Sequence, residues 1–177
     1  MSYNGPVFDL SKDHREGADR TVITSNQAPK PLGAYSLGIS VSPGKLVCIA
    51  GQVGVDSNGN LVGKGDPAAQ TRQALENIGH VLAAAGAGFS DVVEFTTYVV
   101  GRSSVQGYLD GRGEIYPTFY PDGEFPTNTL SVEAGLVNED LLVEIKSVAA
   151  LLYASRYIRS RTIPVFGGIT CTIKNGW

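Results

Sequence analysis

The run "DPAAQTRQALENIGHVLAAAG" (66–86) constrains this chain more than any other segment. An aspartate directly before a proline is a helix start. Its carboxylate caps free N–H groups, and the ring fits the first helical position, where no hydrogen bond is lost. Thr71, Ala74, Leu75, Ile78, Val81, Leu82 and Ala85 then recur at helical spacing, and Gly86 supplies a stop. A helix with one apolar stripe must bury it, and the segments around it are strand-like. "AYSLGISV" (34–41), "SPGK" (42–45) and "LVCIAGQVGV" (46–55) read as a hairpin of two strands, followed by the turn "DSNGN" (56–60). Beyond the helix, "VVEFTTYVV" (92–100) has the β-branched and aromatic composition of a central strand.

A second helix from about Ser104 is expected to bury Val105, Leu109, Ile115, Tyr116 and Phe119, although Gly111, Gly113 and Pro117 each weaken it. "TLSVEAG" (129–135) and "LLVEIKSVAALL" (141–152), separated by "LVNED" (136–140), add two strands. The order β-β-α-β-α-β-β is that of an α+β protein with its helices packed on one face of a mixed sheet. Residues 1–21 are polar and without period and read as an N-terminal arm, leaving 22–152 as the domain. Residues 153–177 carry Arg156, Arg159, Arg161 and Lys174 and no acid, so this basic extension holds +4 against −7 for the rest of the chain.

With 177 residues and 42 % hydrophobic residues the chain fills a single core. Only 18 % of residues are charged while 22 are glycine, a balance that favours tight turns and surface buried between subunits. A net charge of −3 gives no footprint for nucleic acid or anionic membranes. The N-terminal segment has no signal-peptide core and no run is apolar for the roughly 18 residues a membrane span needs, so a cytoplasmic protein is expected. Cys48 and Cys171 form no C-x-x-C and read as buried thiols in a reducing compartment. His14 and His80 belong to no ligand cluster, so neither a metal nor a cofactor is expected. Nucleophile-elbow, P-loop, zincin and dinucleotide signatures are absent. "GQVG" (51–54) reads as a strand-end bend or as a cradle of amides for an anion.

Five segments carry a resemblance. "APKPLGAYSLGI" (28–39), "IAGQVGVD" (49–56), "AAQTRQALENIGHVLAAAG" (68–86), "FPTNTLSVEAGL" (125–136) and "LLVEIKSVAAL" (141–151), in this order and spacing, resemble the RidA/YjgF (Rid) superfamily over about residues 22–151. The resemblance implies a chorismate-mutase-like fold and homotrimers with clefts between subunits. It also implies hydrolysis of amino-acid-derived enamines and imines to carbonyl compounds and ammonia, without a cofactor. The older endoribonuclease label of some members finds no support in the charge of this chain.

By the same resemblance, Tyr35 corresponds to the tyrosine lining the cleft, Gly51 to the glycine at its floor, and Glu144 to the acid that handles water. Asn128 stands where archetypal deaminases carry the arginine that grips the substrate carboxylate. Leu130 replaces a small or thiol residue, and Gly113 stands where an asparagine is common before Tyr116 and Phe119. Asparagine offers one amide where arginine offers a planar pair of charge-assisted donors, so a neutral polar head suits Asn128 better than a carboxylate. Asn128 could equally cap a strand start, Glu144 could pair with Lys146 on the same strand face, and Tyr35 could be a core residue. The residues therefore leave three readings open. One is an imine or enamine deaminase with an altered anchor. The second is a related proton-transfer enzyme catalysing tautomerisation, dehydration or cyclisation, and the third a non-catalytic trimer that binds a small molecule.

Overall fold

The computed structural model describes residues 20–42 and 44–151 in full and the strands Arg161–Val165 and Ile169–Ile173 by their backbone. In chain order the elements are β1 (Arg20–Ile23), β2 (Gly38–Val41), β3 (Lys45–Val53), α1 (Pro67–Ala84), β4 (Val92–Val100), α2 (Ser103–Phe119), β5 (Thr127–Glu133), β6 (Val143–Leu151), β7 (Arg161–Val165) and β8 (Ile169–Ile173). The expected β-β-α-β-α-β-β order runs from β2 to β6. The main sheet has the order β3-β6-β4-β5, with β4 and β5 parallel and the other pairs antiparallel, so it is mixed.

The hairpin read between 34–41 and 46–55 does not form. β2 begins only at Gly38 and pairs with β1, while β3 pairs along its length with β6. Two contacts explain this. Ser36 is tied to the segment before β5, its N–H donating to Pro126 O at 3.1 Å and its hydroxyl to Phe125 O, which holds residues 34–37 out of any strand. Ile23 then lies over Gly38, where a β-carbon would already touch it at 3.4 Å. Arg20 and Thr21, read as part of the arm, thus belong to β1.

Helix α1 starts and stops where the sequence says. Asp66 Oδ1 accepts from the N–H groups of Ala68 and Ala69 at 2.9 and 3.0 Å, and Pro67 opens the helix. Gly86 takes a left-handed φ of 73°, letting Ala87 N–H reach back to Leu82 O at 2.8 Å. Ala74, Leu75, Ile78 and Leu82 pack on Phe95, Val99, Val143, Ile145 and Ala149 of the sheet. Val81, expected in the stripe, is exposed, and Gln70 is buried instead. Its amide donates to Gly63 O and Asp140 O and accepts from Leu142 N–H, so a polar side chain fastens two loops where an apolar one could not.

The second helix corrects its forecast more strongly. Its buried face is Ser104, Tyr108, Gly111, Arg112 and Tyr116, and Leu109 is exposed. Gly111 does not weaken the helix. It is what brings α2 close to α1, because a β-carbon there would stand 2.5 Å from Ala68 O and 3.0 Å from Ala68 Cα. Cys48, expected to be buried, is exposed, because β3 turns its alternate residues away from the helices. Residues 1–19 of the arm and the Cys171 side chain lie outside the described residues, as do the other side chains of the C-terminal extension, whose strands β7 and β8 pair antiparallel.

Candidate active site

Glu144 lies on β6 between Val143 and Ile145, both buried under the helices, so it points to the opposite face of the sheet. Its neighbour there is Gly51. β3 carries a bulge between Ile49 and Gln52, and a β-carbon on Gly51 would fall within the Glu144 carboxylate. Gly51 is therefore the position over which the acid lies, and the strand-end bend read in "GQVG" is this bulge. Among the described residues Glu144 makes no ion pair, and Lys146 on the same face does not meet it. Tyr98 of β4 is its register partner, and Ser131 of β5 follows in the same row.

Asn128 lies on the other face. Its carbonyl oxygen accepts from Thr97 Oγ1 at 3.1 Å, and its amide nitrogen donates to Tyr108 Oη at 3.1 Å. The Thr97 hydroxyl has one hydrogen, already given to Asn128, so at the 3.2 Å contact between Thr97 and Tyr108 the tyrosine donates. Tyr108, Thr97 and Asn128 thus form a closed ring of three hydrogen bonds, each group both donating and accepting. Into this ring Arg112 Nη1 donates at 3.3 Å, onto Tyr108 Oη. The guanidinium carbon lies 5.3 Å from the Tyr108 ring centroid and 5.1 Å from that of Tyr116. Burial holds the Tyr116 hydroxyl far above the ordinary tyrosine range, with the Tyr108 hydroxyl adding to the rise and Arg112 opposing it.

Tyr35 is half-buried in the loop before β2, and its hydroxyl accepts from Leu32 N–H at 3.1 Å. That loop comes close to Arg112, since a β-carbon on Gly33 would sit 3.8 Å from Arg112 Nη2. Leu130 packs against the core from β5, Gly113 faces open space, and Tyr116 and Phe119 belong to the aromatic packing, Phe119 stacked on Phe89 with centroids 3.7 Å apart.

One chain therefore holds two groups of candidate residues. Tyr35, Leu130 and Asn128, with Arg112, gather at the β5 edge on the helix side, while Gly51 and Glu144 sit on the open face toward the β3 edge. Two strand spacings, about 10 Å, and the thickness of the sheet separate the groups. A hollow of about 100 Å³ beside Arg20 and Tyr120 is lined by none of them. Sequence reasoning missed Thr97, Tyr108 and Arg112. The spacing of Tyr108, Arg112, Tyr116 and Tyr120 at intervals of four was the available signal. Among the described residues no three His, Cys, Asp or Glu side chains are grouped to hold a metal, and no helix is long and apolar enough to cross a membrane.

A family model described as endoribonuclease L-PSP matches residues 25–151. The chain belongs to this RidA/YjgF family. A RutC family protein of Pyrococcus horikoshii is 35 % identical over 130 residues, covering 73 % of this chain and 97 % of its own. The 2-iminobutanoate/2-iminopropanoate deaminase of Rattus norvegicus is 34 % identical over 131 residues, covering 73 % of this chain and 89 % of its own. Among solved structures, the Rid-family protein YyfB of Yersinia pestis, a protein of unknown function, is similar with a TM-score of 0.66 at 35 % identity, covering 75 % of this chain and 98 % of its own. The chorismate-mutase-like fold of the family is the fold of residues 22–151.

Proposed function

We propose that the chain is a cofactor-free hydrolase of small imines and enamines, active as a homotrimer. In it the Glu144 face of one subunit closes on the Tyr35 and Asn128 edge of the next. The observation that carries this reading is the Glu144 carboxylate, half-buried over Gly51 and without an ion pair among the described residues. A carboxylate so placed has acceptor capacity left for a water molecule. The deaminase activity for which the rat relative and a mouse relative 36 % identical to this chain are named supports the same class of reaction.

Water held by Glu144 gives it a proton as the oxygen adds to the imine carbon. The C=N electron pair moves to nitrogen, which takes up a proton. The resulting carbinolamine collapses to a C=O bond as its hydroxyl proton passes to solvent, balancing the proton that nitrogen drew from solvent, and ammonia departs after taking the proton held on Glu144. An enamine enters the same sequence after protonation at its carbon. Imine and water become carbonyl compound and ammonia, and no electrons are exchanged with another reagent. Tyr35 walls the substrate, and Leu130 and Asn128 form the surface that its head group meets.

The test is ammonia release from imines generated in situ. The wild type should exceed buffer, the Glu144→Gln protein should fall back to the buffer rate, a loss of about a hundredfold or more, and light scattering should give the mass of three chains. A folded wild type no faster than buffer on imines with and without a carboxylate would refute hydrolysis and leave a binding protein.

A further inference from the structure

We infer that Arg112 is the anion anchor of this site, supplying from α2 the positive charge that strand position 128 does not carry, so that the substrate bears a carboxylate. The inference deepens the hydrolase reading and rests on it. Arg112 is only 7 % exposed, yet its neighbours among the described residues are neutral: the hydroxyls of Tyr108 and Tyr116, the faces of both rings, and Gly33. None of the ion pairs between described residues includes it. A guanidinium in such a place is costly to keep without an anion, and two aromatic faces compensate it only in part.

Its position fits the role. Arg112 Nη1 and the amide of Asn128, the residue that the family resemblance places at the substrate head group, donate to the same Tyr108 hydroxyl oxygen. Nη2 lies under the loop that carries Tyr35, and Gly33 leaves room where a larger residue would cover it. Asn128 commits its oxygen and one amide hydrogen to the ring, and its second amide hydrogen remains to donate beside the guanidinium. Arginine donors in a fixed plane together with one amide N–H make a receptor for a small planar carboxylate. An arginine at 128 as well would bring two guanidinium groups together at one buried place. Asparagine there is the residue type that Arg112 permits.

The test measures binding apart from turnover. The full chain is titrated calorimetrically with 2-oxobutanoate, a stable carbonyl compound with a carboxylate, and with butanone, which lacks it. The wild type should bind 2-oxobutanoate and not butanone. Arg112→Lys, which keeps the charge and the stem, should weaken 2-oxobutanoate about tenfold or more, and Arg112→Gln should abolish it. Glu144→Gln should leave binding intact. Equal affinity in folded Arg112→Gln and wild type overturns the inference, as does a wild type that does not prefer the carboxylate, a result that needs no variant to fold. If imine turnover is present and Arg112→Lys lowers kcat/KM equally for imines with and without a carboxylate, the hydrolase stands and the anchor is refuted. Carboxylate binding through Arg112 without ammonia release would leave the anchor standing and refute the hydrolase.

Discussion

Glu144 and Asn128 belong to the same sheet, two strands apart, and their surroundings are opposites. The carboxylate lies half-buried on an open face, over a glycine, with no ion pair among the described residues. The amide is locked into a ring with Thr97 and Tyr108, and a buried arginine stands behind it. One region is built to keep a group available, the other to hold a group still. The closed hydrogen-bonded ring is on the helix side, and a substitution at Gly51 or Glu144 on the open face should change chemistry while sparing stability.

Gly111→Ala puts this contrast under the greatest strain. Its methyl group would meet the backbone at Ala68, which cannot rotate away as a side chain can, so α1 and α2 must separate. A loss of about 1–3 kcal/mol is expected in urea denaturation, with Tyr108 and Arg112 displaced along with the helix. Asn128→Arg comes next. It opens the ring and sets a like charge against Arg112, and a loss of about 2 kcal/mol follows from the unpaired Tyr108 and Thr97 alone. Arg112→Met in the same chain should recover part of that loss by removing the second cation. Thr97→Val conserves volume but deletes one member of the ring, and about 1–2 kcal/mol should be lost as Asn128 Oδ1 is left without its donor.

Gly51→Ala should change stability least. The three atoms nearest the new methyl group all belong to the Glu144 side chain, from Cγ outward, which can rotate away as backbone cannot, so the melting temperature should stay near that of wild type. Ammonia release should nevertheless fall by about tenfold or more, because the carboxylate is turned from its water position. A Gly51→Ala protein that is destabilised as much as Gly111→Ala would show that the open face is as tightly built as the helix side, and the contrast between the regions would collapse.

The fold was legible because its signals are local. Asp66-Pro67 and Gly86 bound α1, and β-branched runs mark β4 and β6. The pairing of β2 with β1 was not legible, since it depends on Ser36 reaching Phe125 and Pro126, some ninety residues on. Of the candidate site, Gly51 and Glu144 could be named in advance, and the structure puts them in contact. The setting of Asn128 could not. Ranking α2 by aliphatic residues favoured Leu109 over Tyr108, and a helix face made of tyrosines and one arginine resembles a solvated face until the sheet beneath it offers Thr97 and Asn128.

The central claim is that one complete site takes its carboxylate from one subunit and its head-group surface from another. Hybrid trimers test it directly. Glu144→Gln is co-expressed under two affinity tags with the double variant Tyr35→Ala, Asn128→Ala, each inactive alone, and hybrids carrying both tags are assayed for ammonia release. Selection for both tags leaves only 2:1 and 1:2 rings, each with one of its three like interfaces carrying both halves intact, so roughly a third of wild-type activity is the predicted result. Hybrids as inactive as either parent, with mixed composition confirmed by native mass spectrometry, would place all of the catalytic groups in a single chain and contradict the account.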